Sequence, residues 1–216
     1  MRSLLLIGLS LPLFAAETAP LQIDNDFRVT LSAPPRNYDS TLTNTKTDVV
    51  LTKGSGEIDS GGWLAVDYQG SLHKEGPVAI LFGAGIDMIG MTEEDNLEKT
   101  SGSGVGVHLD VGVGVRPTEM FSMEASLVGG VGAASLTVDN KTTSTSLDSD
   151  SATYGMIALL ARGVITFSPG FQIFGQIGYA GFNLTATYDA TPLRPELEEK
   201  VELRGVTYGL GLGWRF

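Results

Sequence analysis

From Val206 to Phe216 the chain reads VTYGLGLGWRF, with an apolar side chain at every second position: Val206, Tyr208, Leu210, Leu212, Trp214 and Phe216. Between them lie Thr207, Gly209, Gly211, Gly213 and Arg215. Side chains on a strand point alternately to opposite faces, so this spacing predicts a strand with one greasy face and one small or polar face. The same alternation sets Val105, Val107, Leu109, Val111, Val113 and Val115 against Gly106, His108, Asp110, Gly112, Gly114 and Arg116. Such stretches run to about 11 residues, the length at which a tilted strand crosses the hydrocarbon of a bilayer.

The pattern recurs less cleanly over 64–72, 78–88, 121–131, 157–167 and 171–179, and a weaker instance lies at 27–32. The expectation is therefore eight strands. Their connections fall into two kinds. His73 to Pro77, Pro117 to Met120 and Ser168 to Gly170 are short; Pro34 to Ser60, Thr92 to Ser103, Asp139 to Asp150 and Asp189 to Lys200 are long and polar. Short and long alternate along the chain, as in transmembrane barrels with tight periplasmic turns and larger outside loops. The predicted fold is all-β: an antiparallel up-and-down transmembrane β-barrel of eight strands, with both termini on the periplasmic side. The Ser, Thr and Asp content of 139–151 predicts a mobile loop tip.

Composition sharpens this picture. Met1 and Arg2 followed by an almost wholly apolar Ser3 to Phe14, then Ala15 and Ala16, have the layout of a secretory signal peptide. The expected organisation is a signal peptide over 1–16 and a barrel domain over 17–216. With no cysteine, the chain has neither a disulfide framework nor a thiolate metal site. The 14 basic residues against 25 acidic ones argue against a nucleic-acid partner, whose phosphates reward a basic surface. A soluble exported barrel such as a lipocalin shares the strand count, but its second strand face meets water and carries charge. Here that face is rich in glycine and nearly free of lysine, which suits the crowded inside of a narrow barrel.

These strands resemble the small outer-membrane barrels of the OmpA and opacity type, over essentially the whole length after the signal peptide. The closing residues Tyr208, Leu210, Leu212, Trp214 and Phe216 resemble the terminal β-signal of that class. The resemblance implies an outer-membrane location, reading of the last strand by the barrel-assembly machinery, and outer-membrane lipid and lipopolysaccharide as surroundings. It also implies a monomer.

The candidate chemistry lies on the second strand face. Asp67, Asp87, His108, Asp110, Arg116, Glu124, Arg162 and Arg215 should converge in the lumen, because charged groups face lipid only at high cost. The expected role of this set is an interlocked polar core, with Arg162 the base nearest its centre; a water-filled path through it is the alternative. His108 and Asp110, two apart on one face, could orient an imidazole for acid–base work. The chain has no G-x-S-x-G nucleophile elbow. Gly104, Gly106, Gly112 and Gly114 miss the spacing of a dinucleotide loop and fall within a strand. Two histidines are too few for a histidine-rich metal site. No catalytic site, cofactor or metal is expected. The acidic run Glu93, Glu94, Asp95 and Glu98 could share divalent cations with lipopolysaccharide or simply keep the surface solvated. The function expected is a structural or surface-interaction role carried by four long outside loops, with a narrow small-solute pore or a lipid-modifying enzyme as rivals.

Overall fold

A computed structural model describes residues 21–73, 76–192 and 194–216, so the expected signal peptide lies outside the described residues. Eleven antiparallel strands follow in chain order: β1 (Gln22–Ala33), β2 (Asn37–Asn44), β3 (Val49–Glu57), β4 (Ser60–His73), β5 (Val78–Glu94), β6 (Glu98–Val115), β7 (Phe121–Asn140), β8 (Thr145–Asp148), β9 (Ser151–Thr166), β10 (Phe171–Tyr188) and β11 (Leu197–Arg215). Eight of them close a barrel in the order β1-β4-β5-β6-β7-β9-β10-β11, with β11 returning to β1 from Asp26 opposite Arg215 to Ala33 opposite Tyr208. All eight strands read from the alternation are present, and their two faces lie as expected.

The outside of this barrel is apolar and the inside is polar. Leu210 is 73 % exposed and Leu109 69 %, whereas Arg28 is 1 % exposed and Asp87 fully buried. A water-soluble barrel has the opposite arrangement. Aromatic residues gather near the end that carries the short turns. Phe171 and Phe27 both lie opposite Trp214, Phe27 lies opposite Tyr68, and the Tyr68 ring packs at a tilt against Phe216.

At the other end the strands run on well beyond the predicted limits, and there the polarity reverses. On β11 the outward residues change from Glu198, Lys200, Glu202 and Arg204 to Val206, Tyr208 and onward. On β6 they change from Lys99, Ser101 and Ser103 to Val105, and on β10 from Thr187, Thr185 and Asn183 to Tyr179. The pairing sets these switches side by side on neighbouring strands: Val206 lies opposite Tyr179, Val105 opposite both Met88 and Ala133, and Ser103 opposite Ser135. Beyond this level much of the inward face is apolar, with Leu136, Phe182, Leu184, Tyr188, Val201 and Leu203 in one buried cluster. From Val206 to Phe216 the apolar belt is roughly 23 Å tall, taking a rise of about 3.3 Å per residue and a tilt near 45°.

The long connections are therefore mostly strand, which corrects the expectation of extended loops. Only residues 95–97 separate β5 from β6, closed by backbone N–H groups of Leu97 and Glu98 donating to the Asp95 side chain at 2.6 and 2.7 Å. The segment expected to be a mobile tip is a hairpin in which β8 pairs with the end of β7. Residues 34–60 form the β2–β3 hairpin, and β2 continues along the β11 edge from Asn37 opposite Arg204. Between β1 and β2 stand Pro34 and Pro35, which lack the N–H a ladder needs, so the strand kinks there before pairing resumes. The β2–β3 and β7–β8 turns share one chemistry. Asn44 and Asn140 each accept from backbone N–H groups two and three residues on, and Asp48 and Ser144 close the turns at positive φ.

Candidate functional site

Two interior regions follow from this architecture. The first is the polar lumen within the apolar belt. Arg28 projects inward from β1 and meets Glu124 of β7 across the barrel through two hydrogen bonds of 2.6 and 2.8 Å. It also donates to Asp26 at 2.9 Å and lies over the Phe174 ring, 5.4 Å from its centre. Asp26 in turn accepts from Arg215 at 2.9 Å and from Gln172 at 3.1 Å. This lattice ties β1, β7, β10 and β11 together.

A second group of charges lies on β4, β5 and β6. The His108 ring bridges two carboxylates, Nε2 to Asp67 at 2.5 Å and Nδ1 to Asp87 at 2.8 Å. The Trp63 indole donates to Asp87 at 2.7 Å, and the Gln69 amide donates to Asp110 at 3.0 Å. Arg162 of β9 approaches Asp110 at 3.7 Å and donates to Gln176 at 3.0 Å. With both nitrogens engaged, the imidazole keeps none free to take a proton from a substrate. Nor does His108 pair with Asp110, its neighbour on the strand face; its partners come from β4 and β5.

Glycine makes this crowding possible. A Cβ at Gly85 would stand 2.5 Å from His108 and 2.7 Å from Asp67, and one at Gly83 would overlap the Asp110 carboxylate. The inward glycines thus leave the space that the long polar side chains fill.

Of the eight residues expected in the lumen, Asp67, Asp87, His108, Asp110, Glu124 and Arg162 are buried there. Arg215 reaches in from the end with the short turns. Arg116 does not belong to the set: β6 ends at Val115, Pro117 turns the chain away, and the guanidinium lies part-exposed at the barrel mouth on Asp24, 2.9 Å away. Arg28, not Arg162, is the most enclosed base. Arg28 and Asp26 escaped the sequence reading because β1 carries the faintest alternation, although Arg28 does stand between Phe27 and Val29. Tyr208, Leu210, Leu212, Trp214 and Phe216 all face outward and are well exposed.

The second region is a cup in the strand extensions. Beyond the belt, β3 ends the sheet path and does not pair with β5, so the first hairpin splays from its neighbour. The gap leaves a cavity of about 430 Å³ between β2–β3 and β5–β6, floored by Ile58, Met91 and Val201 and walled by Glu93, Glu98 and Glu199. The Tyr38 hydroxyl donates to Glu93 at 3.0 Å, and the Tyr188 hydroxyl to Glu199 at 2.8 Å. Burial, helped by the Glu93 charge, pushes the Tyr38 phenol up to about 12. Burial likewise pushes the Glu199 carboxyl above the usual carboxylate range; the Glu98 charge adds to this and the Tyr188 hydrogen bond opposes it.

No protein-family model matches the chain, and no curated sequence matches it. Among solved structures it is similar to Ail, the attachment invasion locus protein of Yersinia pestis, at 13% identity and a TM-score of 0.42, covering 89% of this chain and 98% of that one. It is also similar to the outer membrane protein OprG from Pseudomonas aeruginosa, at 11% identity and a TM-score of 0.42, covering 89% and 95%. Neisserial surface protein A is a third such structure, at 12% identity and a TM-score of 0.33, covering 88% and 97%. The barrel assignment itself stands on this chain's own strand pairing, which closes eight antiparallel strands from β1 round to β11.

Proposed function

We propose that the chain is an integral protein of a Gram-negative outer membrane, a packed monomeric barrel whose work is done at the cell surface by its strand extensions. The observation that carries this reading is the apolar belt: outward side chains that are exposed and greasy on every barrel strand, bounded on one side by aromatic residues of β1, β4, β10 and β11 and on the other by a change to polar and charged residues. Lipid is the surrounding that makes such a surface favourable. On this reading the short turns lie in the periplasm and the extensions outside, among lipopolysaccharide. The final strand, with Tyr208, Leu210, Leu212, Trp214 and Phe216 along its outer face, is the segment offered to the barrel-assembly machinery, and the leader at 1–16 supplies export.

A structural rather than conducting or catalytic lumen is favoured by its filling, since Arg28 meets Glu124 across the barrel and Asp26 beside it, His108 bridges Asp67 and Asp87, and Arg162 approaches Asp110. The test is refolding into planar bilayers. The expected result is insertion without single-channel steps, and steady conductance steps would establish the pore instead. Lipid A from cells with and without the protein should have the same mass spectrum; a new acylation or deacylation product would establish the enzyme.

A further inference from the structure

The cup has features that the packed lumen lacks. It is enclosed on several sides, its floor of Ile58, Met91 and Val201 is apolar, and its volume of about 430 Å³ falls in the range of small-ligand sites. Its charge is one-sided. Glu94, Glu198 and Glu202, which face outward on the same strands, pair with Lys141, Lys200 and Arg204. Among the described residues, no basic side chain pairs with the inward carboxylates of Glu93, Glu98 or Glu199, and none lines the cavity. The two tyrosine hydroxyls satisfy single oxygens and leave the negative charge uncompensated.

We propose that this cup binds a small organic cation with an apolar body, the body lying on the Ile58, Met91 and Val201 floor and the ammonium group between Glu98 and Glu199. An anion would meet Glu93, Asp95, Glu98 and Glu199 with no basic side chain in the lining, and a bare inorganic cation would leave the apolar floor unused. The upward push on the Glu199 carboxyl is consistent with this, because a bound ammonium supplies the opposite charge that the empty arrangement lacks. The proposal rests on the surface reading above, which places the cup outside the cell.

The experiment uses the full barrel without its leader, folded in detergent and separately in lipid nanodiscs, with folding checked by the heat-dependent shift on a gel. Calorimetric titration with 2-phenylethylammonium should give saturable one-to-one binding, and 3-phenylpropionate, of similar size and opposite charge, should give none. Glu98→Gln with Glu199→Gln keeps an acceptor for Tyr188 and should weaken the ammonium by about tenfold or more. Ser40→Phe should abolish binding by filling the cavity from the β2 side. No saturable binding to folded wild type, equal binding of the two probes, or an unchanged affinity in the double variant overturns the proposal. A chain that binds in detergent but does not enter nanodiscs would overturn the membrane reading and leave the cup intact, so the two failures are distinguishable.

Discussion

Arg28 and Glu124 stand 96 positions apart in the chain and meet in the lumen through a two-pronged ion pair of 2.6 and 2.8 Å. Both are almost wholly buried, and Arg28 is the cation that neutralises Glu124 at hydrogen-bond distance. Arg28→Met should therefore strand Glu124 and destabilise the folded barrel by about 3–5 kcal/mol. Adding Glu124→Gln should restore part of the loss, because Asp26 keeps Arg215 and Gln172. Urea unfolding from liposomes measures both variants, and strictly additive losses would contradict the pairing.

The edge of the apolar belt can be tested on a single strand. Val111 faces outward near the middle of the β6 belt, and Ser103 faces outward just past its end. Val111→Arg should cost about 2–4 kcal/mol in a bilayer, and Ser103→Arg close to nothing. Equal costs would mean that the boundary between Ser103 and Val105 is misplaced.

Sidedness has a proteolytic signature. Lys46 and Lys141 sit in the exposed hairpin turns, and Glu119 lies exposed in the short β6–β7 turn at the opposite mouth. On intact cells trypsin should cut after Lys46 and Lys141, and a glutamate-specific protease should spare Glu119, as read by mass spectrometry of the released and retained peptides. Cleavage after Glu119 with the periplasm sealed would invert the topology.

The Glu199 carboxyl gives a pH dependence with a definite sign. Burial raises its pKa in the folded state, so the folded chain holds a proton that the unfolded chain releases. Stability from this group is complete below the ordinary carboxylate value and is lost as pH climbs through the raised one. Against Glu199→Gln, the wild type should weaken progressively as pH rises from about 4. A constant difference between the two over that range would contradict the assignment.

The belt was legible in the sequence because lipid on one side and a crowded polar lumen on the other impose a strict period of two, which VTYGLGLGWRF displays without interruption. The same rule hid the extensions. Past Ser103 and Arg204 the strands are polar outside and apolar inside, the arrangement of an ordinary water-exposed sheet. Their mix of Ser, Thr, Asn and Gly therefore read as loop. The partners of His108 were also out of reach, since they depend on the stagger between β4, β5 and β6 and not on spacing along one strand. Arg116 was misplaced for a simpler reason: alternation alone does not mark where the barrel mouth begins, and the side chain one step past Val115 meets Asp24 there and not the buried set.

The simultaneous polarity switch on neighbouring strands gives the molecule a fixed draught, like a hull with a painted waterline. Raising the barrel by one residue pair would lift Val105 and Val206 into water, and lowering it would press Ser103 and Arg204 into hydrocarbon. The cylinder is hydrogen-bonded all the way round and yields less readily than lipid tails. In a membrane thicker than its belt, the bilayer must therefore thin around the protein. Refolding yield should be highest in bilayers of short-chain lipid whose core matches roughly 23 Å and should fall as the acyl chains lengthen.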